Sequence, residues 1–191
     1  MKIKSFFFIA FSILITFNSL AQNQDRKFKI HTLAFYNLEN LFDTINDINK
    51  DDEKSPIMEI KFNRGKIYKQ KVSNMARVIS DIGYDITNRP PSIIGICEVE
   101  NRIVVEDLIA DERLSKVNYG IVHYDSPDKR GIDVSLLYNK DVFEVMNSKS
   151  HVLYINYNNT SNRSYTRDQL VVSGKLDGEL IHLIVNHWPS R

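Results

Sequence analysis

An amide, a carboxylate and an imidazole each follow an apolar, strand-like run: Asn37 after FKIHTLAFY, Glu98 after IIGIC and His187 after LIHLIVN. A buried strand fixes the direction of its last side chain while leaving that side chain open to solvent, so polar strand ends are where chemistry can be held rigidly. Phosphoester hydrolysis suits this set. It needs a hard cation such as Mg²⁺, which typically takes one or two carboxylates and keeps several waters. Glu98 can supply that carboxylate, and Asn37 can hold a metal-bound water or orient a reacting group without adding charge. His187 can donate a hydrogen bond to a phosphoryl oxygen as negative charge builds there. Each residue type also has a structural use: Glu98 and Glu100 precede RIVVEDL, where acids suit a helix N-terminus, Asn is a common turn residue, and a lone His in a strand is usually structural.

The elements that would position these groups follow from periodicity. Residues 28–37 read as a strand that Asn37 closes, with both faces covered. The charged stretch DTINDINKDDEKSP reads as a solvated loop. Ile67, Val72, Met75, Ala76, Ile79 and Ile82 recur at helical spacing between basic residues, which predicts an amphipathic helix over 66–82. A short buried strand is expected over 93–97 with Glu98 at its end, then a helix in RIVVEDLIADERL. Strands are expected over 119–124, 132–138 and 143–154. The segment QLVVSGKLDGELIHLIVNH predicts a hairpin turning at Asp177-Gly178, its second strand mostly buried and delivering His187. The order implies an α/β (α+β) fold with a mixed, largely antiparallel sheet and flanking helices. No GxGxxG or Walker sequence occurs.

Composition narrows the class. Lys2 and Lys4 precede an apolar run from Phe6 to Phe17, and Ser19 and Ala21 supply small residues. This predicts a signal peptide over 1–21, a short linker over 22–27 and a domain over 28–191, in a chain exported to the periplasm or secreted and without a stable membrane span after cleavage. The 25 Lys and Arg against 24 Asp and Glu argue against a strongly basic coat that would bind nucleic acid through counterion release. An enzyme meeting phosphate through a bound cation does not need one. The single cysteine, Cys97, has no disulfide partner and sits in an apolar run, as a buried, inert thiol would.

Four segments in order, FYNLENLFD, IIGICEVEN, RGIDVSLLY and VNHWPSR, together resemble the endonuclease/exonuclease/phosphatase family, the fold group of pancreatic deoxyribonuclease, and most closely its exported bacterial branch. The resemblance implies a metal-dependent phosphoesterase, foremost a secreted nuclease that cuts phosphodiester bonds by water attack. Its metal would be Mg²⁺, with Mn²⁺ as a substitute, and its partner nucleic acid or another phosphodiester. The alternatives are a phosphatase or phospholipid phosphodiesterase of the same fold, and a non-catalytic exported binding module in which Asn37, Glu98 and His187 do not converge. Asn37, Glu98 and His187 match the family's catalytic positions, and Asn37, Glu98 and Glu39 its metal contacts. Arg167 resembles a phosphate-binding arginine, its planar fork suiting phosphate. Arg130 would also meet substrate, and Arg130 and Asp133 flank the cleft, where either could instead form a structural ion pair. The family's later Gly-Asp-x-Asn and Ser-Asp-His motifs do not occur in the 191 residues. The resemblance therefore implies the first half of a four-layer α/β/β/α sandwich, inactive by itself.

Overall fold

The computed structural model describes residues 28–157 and 160–189. The leader expected over 1–21 and the linker over 22–27 lie outside the described residues. Residues 31–191 form one compact unit. Its elements in chain order are β1 (Leu33–Leu41), a 3-10 turn (Asp52–Lys54), α1 (Arg64–Asp81), α2 (Tyr84–Thr87), β2 (Ile93–Val99) and α3 (Arg102–Ala110). There follow β3 (Tyr119–His123), β4 (Asp133–Asn139), β5 (Phe143–His151), β6 (Ile155–Asn156), β7 (Arg163–Ser164), β8 (Gln169–Leu176) and β9 (Glu179–Val185).

Strand alternation builds the layers. In β2, Ile94 and Ile96 enter one core with Val72, Ala76 and Ile79 of α1 and with Val104, Val105 and Leu108 of α3. Ile93 and Cys97 enter a second core with Phe143, Leu170, Val172 and Val185. The result is helices on one sheet and that sheet on another, a mixed α/β arrangement. The first sheet runs β1-β2-β4-β3 and the second β5-β8-β9. Among the described strands β1 and β2 run parallel, and the other pairs are antiparallel. Asn101 caps α3 by accepting from the Val104 amide at 3.0 Å, which fixes where the helix leaves β2.

Several expectations need correction. Asn37 does not close β1: the strand begins later than expected and resumes pairing at Leu41 opposite Val99, after a break at Glu39 and Asn40, whose φ values are 52° and 56°. Glu98 likewise lies inside β2, with φ 59° between Cys97 and Val99, where the ladder to β4 shifts register. Two neighbouring strands thus bulge at the same level. A bulge leaves a residue out of the ladder and re-aims its side chain. The covered faces expected for the first strand are not found, since Leu33 and Phe35 are exposed. β9 is not mostly buried either: Leu180 is 57% and Ile184 62% exposed, while Val185 lies in the core between the sheets.

The charged stretch after β1 is not simply solvated. Phe42 and Ile57 pack with Ile132 in a small core of their own, and Asp52 and Ser55 are buried beside them. Backbone amides satisfy carboxylates in this segment, as where the Asp47 amide donates to Asp52 Oδ2 at 2.9 Å. The Asp51 amide ties the segment to the Lys129 carbonyl at 2.7 Å.

Candidate active site

The double bulge sets the geometry of the site. Asn37 pairs with Cys97 across β1 and β2, so the amide stands one residue from Glu98 on the neighbouring strand. The Asn37 side-chain oxygen accepts from the Glu39 amide at 2.7 Å, closing a local turn that bends the chain away. Glu98 Oε2 accepts from the Asn40 amide at 3.0 Å. Its other oxygen, Oε1, lies 3.1 Å from His187 Nε2. His187 arrives from the second sheet: Val185 is anchored in the core between the sheets, and the chain reaches the site two residues later.

Two arginines complete the wall. Arg167, 5% exposed, donates from Nε to the His187 carbonyl at 3.2 Å and from Nη1 to Asp128 Oδ2 at 3.1 Å. Arg130 donates from Nε to Asp128 Oδ1 at 3.2 Å and from Nη2 to Asp128 Oδ2 at 3.1 Å, its own side chain remaining 56% exposed. A continuous chain of contacts therefore runs Arg130, Asp128, Arg167, His187, Glu98. Both Arg130 and Asp133 have ionic partners, Arg130 in Asp128 and Asp133 in His123. Asp133 is buried, accepts from the Ser126 amide at 2.8 Å, and lies 3.0 Å from His123 Nε2.

Electrostatics follow from burial and neighbours. Burial lowers the His187 pKa below its usual value, the Arg167 charge lowers it further, and Glu98 opposes both. Burial alone would raise Asp128, yet hydrogen bonds from Arg130 and Arg167 hold its carboxyl below the usual range. Lys71 of α1 donates to the Glu39 carbonyl and, at 3.0 Å, to the Asn40 carbonyl. Burial lowers its pKa while the charges of Glu39 and Glu98 pull the other way. Cys97 is pushed up to about 12, first by burial and then by Glu98, as expected of an inert thiol.

The structure thus joins Glu98, His187 and Arg167 directly and sets Asn37 beside them through strand pairing. Arg130 is linked through Asp128. Glu39 is exposed on the bulge, tied in by its backbone. Sequence reasoning missed Asp128 and Lys71. Asp128 stands two residues before Arg130 in SPDKRGID, a spacing that lets one carboxylate take both the backbone amide and the guanidinium of Arg130. Lys71 looked like one more solvated face of an amphipathic helix.

A family model described as "Endonuclease/Exonuclease/phosphatase family" matches residues 32–191. The chain belongs to the endonuclease/exonuclease/phosphatase family. Its members are hydrolases of phosphoester bonds. Among solved structures, an endonuclease/exonuclease/phosphatase from Bacteroides vulgatus is 17% identical with a TM-score of 0.44, over 79% of this chain and 49% of that one. A mannosyl-6-phosphatase from Bacteroides thetaiotaomicron is 13% identical with a TM-score of 0.46, over 81% and 50%. The catalytic domain of human Nocturnin with bound sulfate anion is 15% identical with a TM-score of 0.44, over 63% and 44%. The chain spans about half the length of these structures. No curated protein matches it.

The family's fold usually holds a divalent metal, and the donor chemistry here fits one. Glu98 presents a partly exposed carboxylate, and the amide oxygen of Asn37 stands one strand away. Oxygen donors of this kind suit a hard cation.

Proposed function

We propose that the protein is an exported, Mg²⁺-dependent phosphoesterase, a nuclease that hydrolyses phosphodiester bonds by attack of water. The observation that carries this is the 3.1 Å contact between Glu98 and His187, delivered by strands of two different sheets. A non-catalytic module would leave Asn37, Glu98 and His187 without convergence, and the Glu98–His187 contact counts against that reading. Export rests on Lys2, Lys4 and the apolar run that follows them.

In this mechanism Glu98, with Asn37 and Glu39, would hold Mg²⁺ or Mn²⁺, which neutralises phosphate oxygens when bound. His187 donates a hydrogen bond to a phosphoryl oxygen, and the gain is largest as charge accumulates in the transition state. Arg167, pinned by Asp128, holds the His187 carbonyl and so the orientation of the ring. Arg130, half in solvent, meets a phosphate of the incoming substrate. The lowered His187 pKa keeps its ring neutral near pH 7, so it acts as a hydrogen-bond donor without competing with the metal for charge. The family's Gly-Asp-x-Asn and Ser-Asp-His motifs, whose Asp, Asn and His would orient the attacking water and meet the phosphate, do not occur in these residues. For that reason we expect negligible turnover from these 191 residues alone.

The test is hydrolysis by the full-length gene product with Mg²⁺, Mn²⁺ or EDTA, on DNA, RNA, bis(p-nitrophenyl) phosphate, a phosphomonoester and sphingomyelin. Diester hydrolysis is expected to need metal and to fall at least about 100-fold in Glu98→Ala and in His187→Ala. Undiminished hydrolysis by Glu98→Ala would sink the site assignment. Preference for the monoester or the lipid would move the function to the phosphatase or phospholipid branch.

A further inference from the structure

A second acidic site lies beside the first. A pocket of about 120 Å³ opens between the segment after β1 and the loop before β4, and five carboxylates line it: Asp47, Asp52, Glu100, Asp125 and Asp133. Lys50 also lines it, but its ammonium donates to the carbonyls of Ser126 and Asp128, at 3.1 and 3.5 Å.

Asp52 is the informative member. It is 2% exposed, and its Oδ2 accepts from the Asp47 amide, yet Oδ1 is buried with no hydrogen-bond partner. A buried carboxylate oxygen left without a donor is costly, and a cation relieves that cost. Of the other acids, Asp133 engages both oxygens, Oδ1 with the Ser126 amide and Oδ2 with His123, while Glu100 and Asp47 each commit one. Glu100 uses Oε2 for the Asp43 amide, at 2.6 Å. Asp47 uses Oδ1 for the Asn49 amide and side chain, at 2.9 and 3.0 Å.

A separate geometric observation concerns Asp125 and Asp133. With His123 they present three ligand atoms within 4.8 Å of one another. His123 Nε2 already lies 3.0 Å from Asp133 Oδ2, and Nδ1 lies 3.9 Å from Asp125 Oδ1, so the ring holds Asp133 and stands near Asp125.

We propose that Asp47, Asp52, Glu100, Asp125 and Asp133 form a calcium-binding site distinct from Glu98 and His187, which clamps the segment after β1 to the loop before β4. Carboxylate-rich donor sets suit Ca²⁺, which accepts six to eight oxygens in flexible geometry, whereas Mg²⁺ demands near-octahedral order. Softer metals prefer nitrogen and sulfur. The clamp would act on the loop that carries Asp128 and Arg130, already tied to the acidic segment through the Asp51 amide and the Lys129 carbonyl.

Thermal melts of the purified 191-residue chain, stripped with EDTA and titrated with CaCl₂, test this, with Tb³⁺ luminescence as a direct probe of ligation. The midpoint is expected to rise with Ca²⁺. The apparent affinity should weaken at least about tenfold in Asp52→Asn and in Asp125→Asn on loss of a charged ligand, and stay unchanged in Glu98→Gln. The Asp125 side chain is 82% exposed, so its substitution leaves folding intact and decides the matter if Asp52→Asn fails to fold. Absence of any rise at millimolar Ca²⁺ overturns the proposal. So does a rise that survives Asp125→Asn but disappears in Glu98→Gln, which would locate the ion at the other site.

Discussion

At the scale of single residues, His187 is the group whose charge state can be followed. Its ordinary pKa is about 6.5, and burial with the nearby Arg167 charge takes it lower in the folded protein. Between the two values the unfolded chain binds the proton more readily, so stability rises with pH across that window. The contribution is complete above about pH 6.5 and is lost as pH falls through the folded value. An NMR titration should find the His187 midpoint below 6.5, and Glu98→Gln should lower it further by removing the carboxylate that favours the charged ring. An upward move in that variant would contradict the 3.1 Å contact. Residue types were legible in the sequence here: an acid, an amide and an imidazole after apolar runs. Asp128 was not, because nothing in a linear sequence says that one carboxylate will take two arginines separated by 37 positions.

At the scale of elements, glycines separate close approach from turn strain. A Cβ on Gly174 in β8 would collide with the Glu144 carbonyl on β5 and with the Phe143 ring, whereas one on Gly178 would meet open space. Gly174→Ala is therefore expected to cost about 2–3 kcal/mol through overpacking. Gly178→Ala should cost about 1 kcal/mol through its φ of +93° alone. Urea melts of the two variants check the order, and equal losses would show that the sheet absorbs the clash. Hairpin, helices and most strands were readable because turn chemistry and periodicity are local signals. Val72, Ala76 and Ile79 face the core as their spacing predicts. The bulges at Glu39, Asn40 and Glu98 were not readable, since alternation assumes an unbroken ladder. The buried Asp52 was missed for a related reason: composition marks a charged loop as wet, and only tertiary contacts draw it under Phe42 and Ile57.

At the scale of the whole molecule, the outer face of the second sheet carries exposed Met146, Leu180 and Ile184, and β9 is an edge of that sheet. Apolar surface beside an unpaired strand edge favours association. Sedimentation of the purified chain should show concentration-dependent self-association, reduced in Ile184→Lys. A strictly monomeric wild type at about 100 μM, roughly a hundred times the concentration at which a micromolar contact forms, would refute this. Layer order could be foreseen from the strand and helix sequence; which faces stay open could not, because that depends on what packs against them. The row of contacts from Arg130 to Glu98 bridges the two sheets, since Glu98 belongs to one and His187 follows the last strand of the other. These contacts act as a rivet between layers, so any slip of one layer over the other would pull the site apart before either layer melted. Trp188, the sole tryptophan and the very next residue after His187, would report such slippage as an emission change that precedes the loss of circular dichroism.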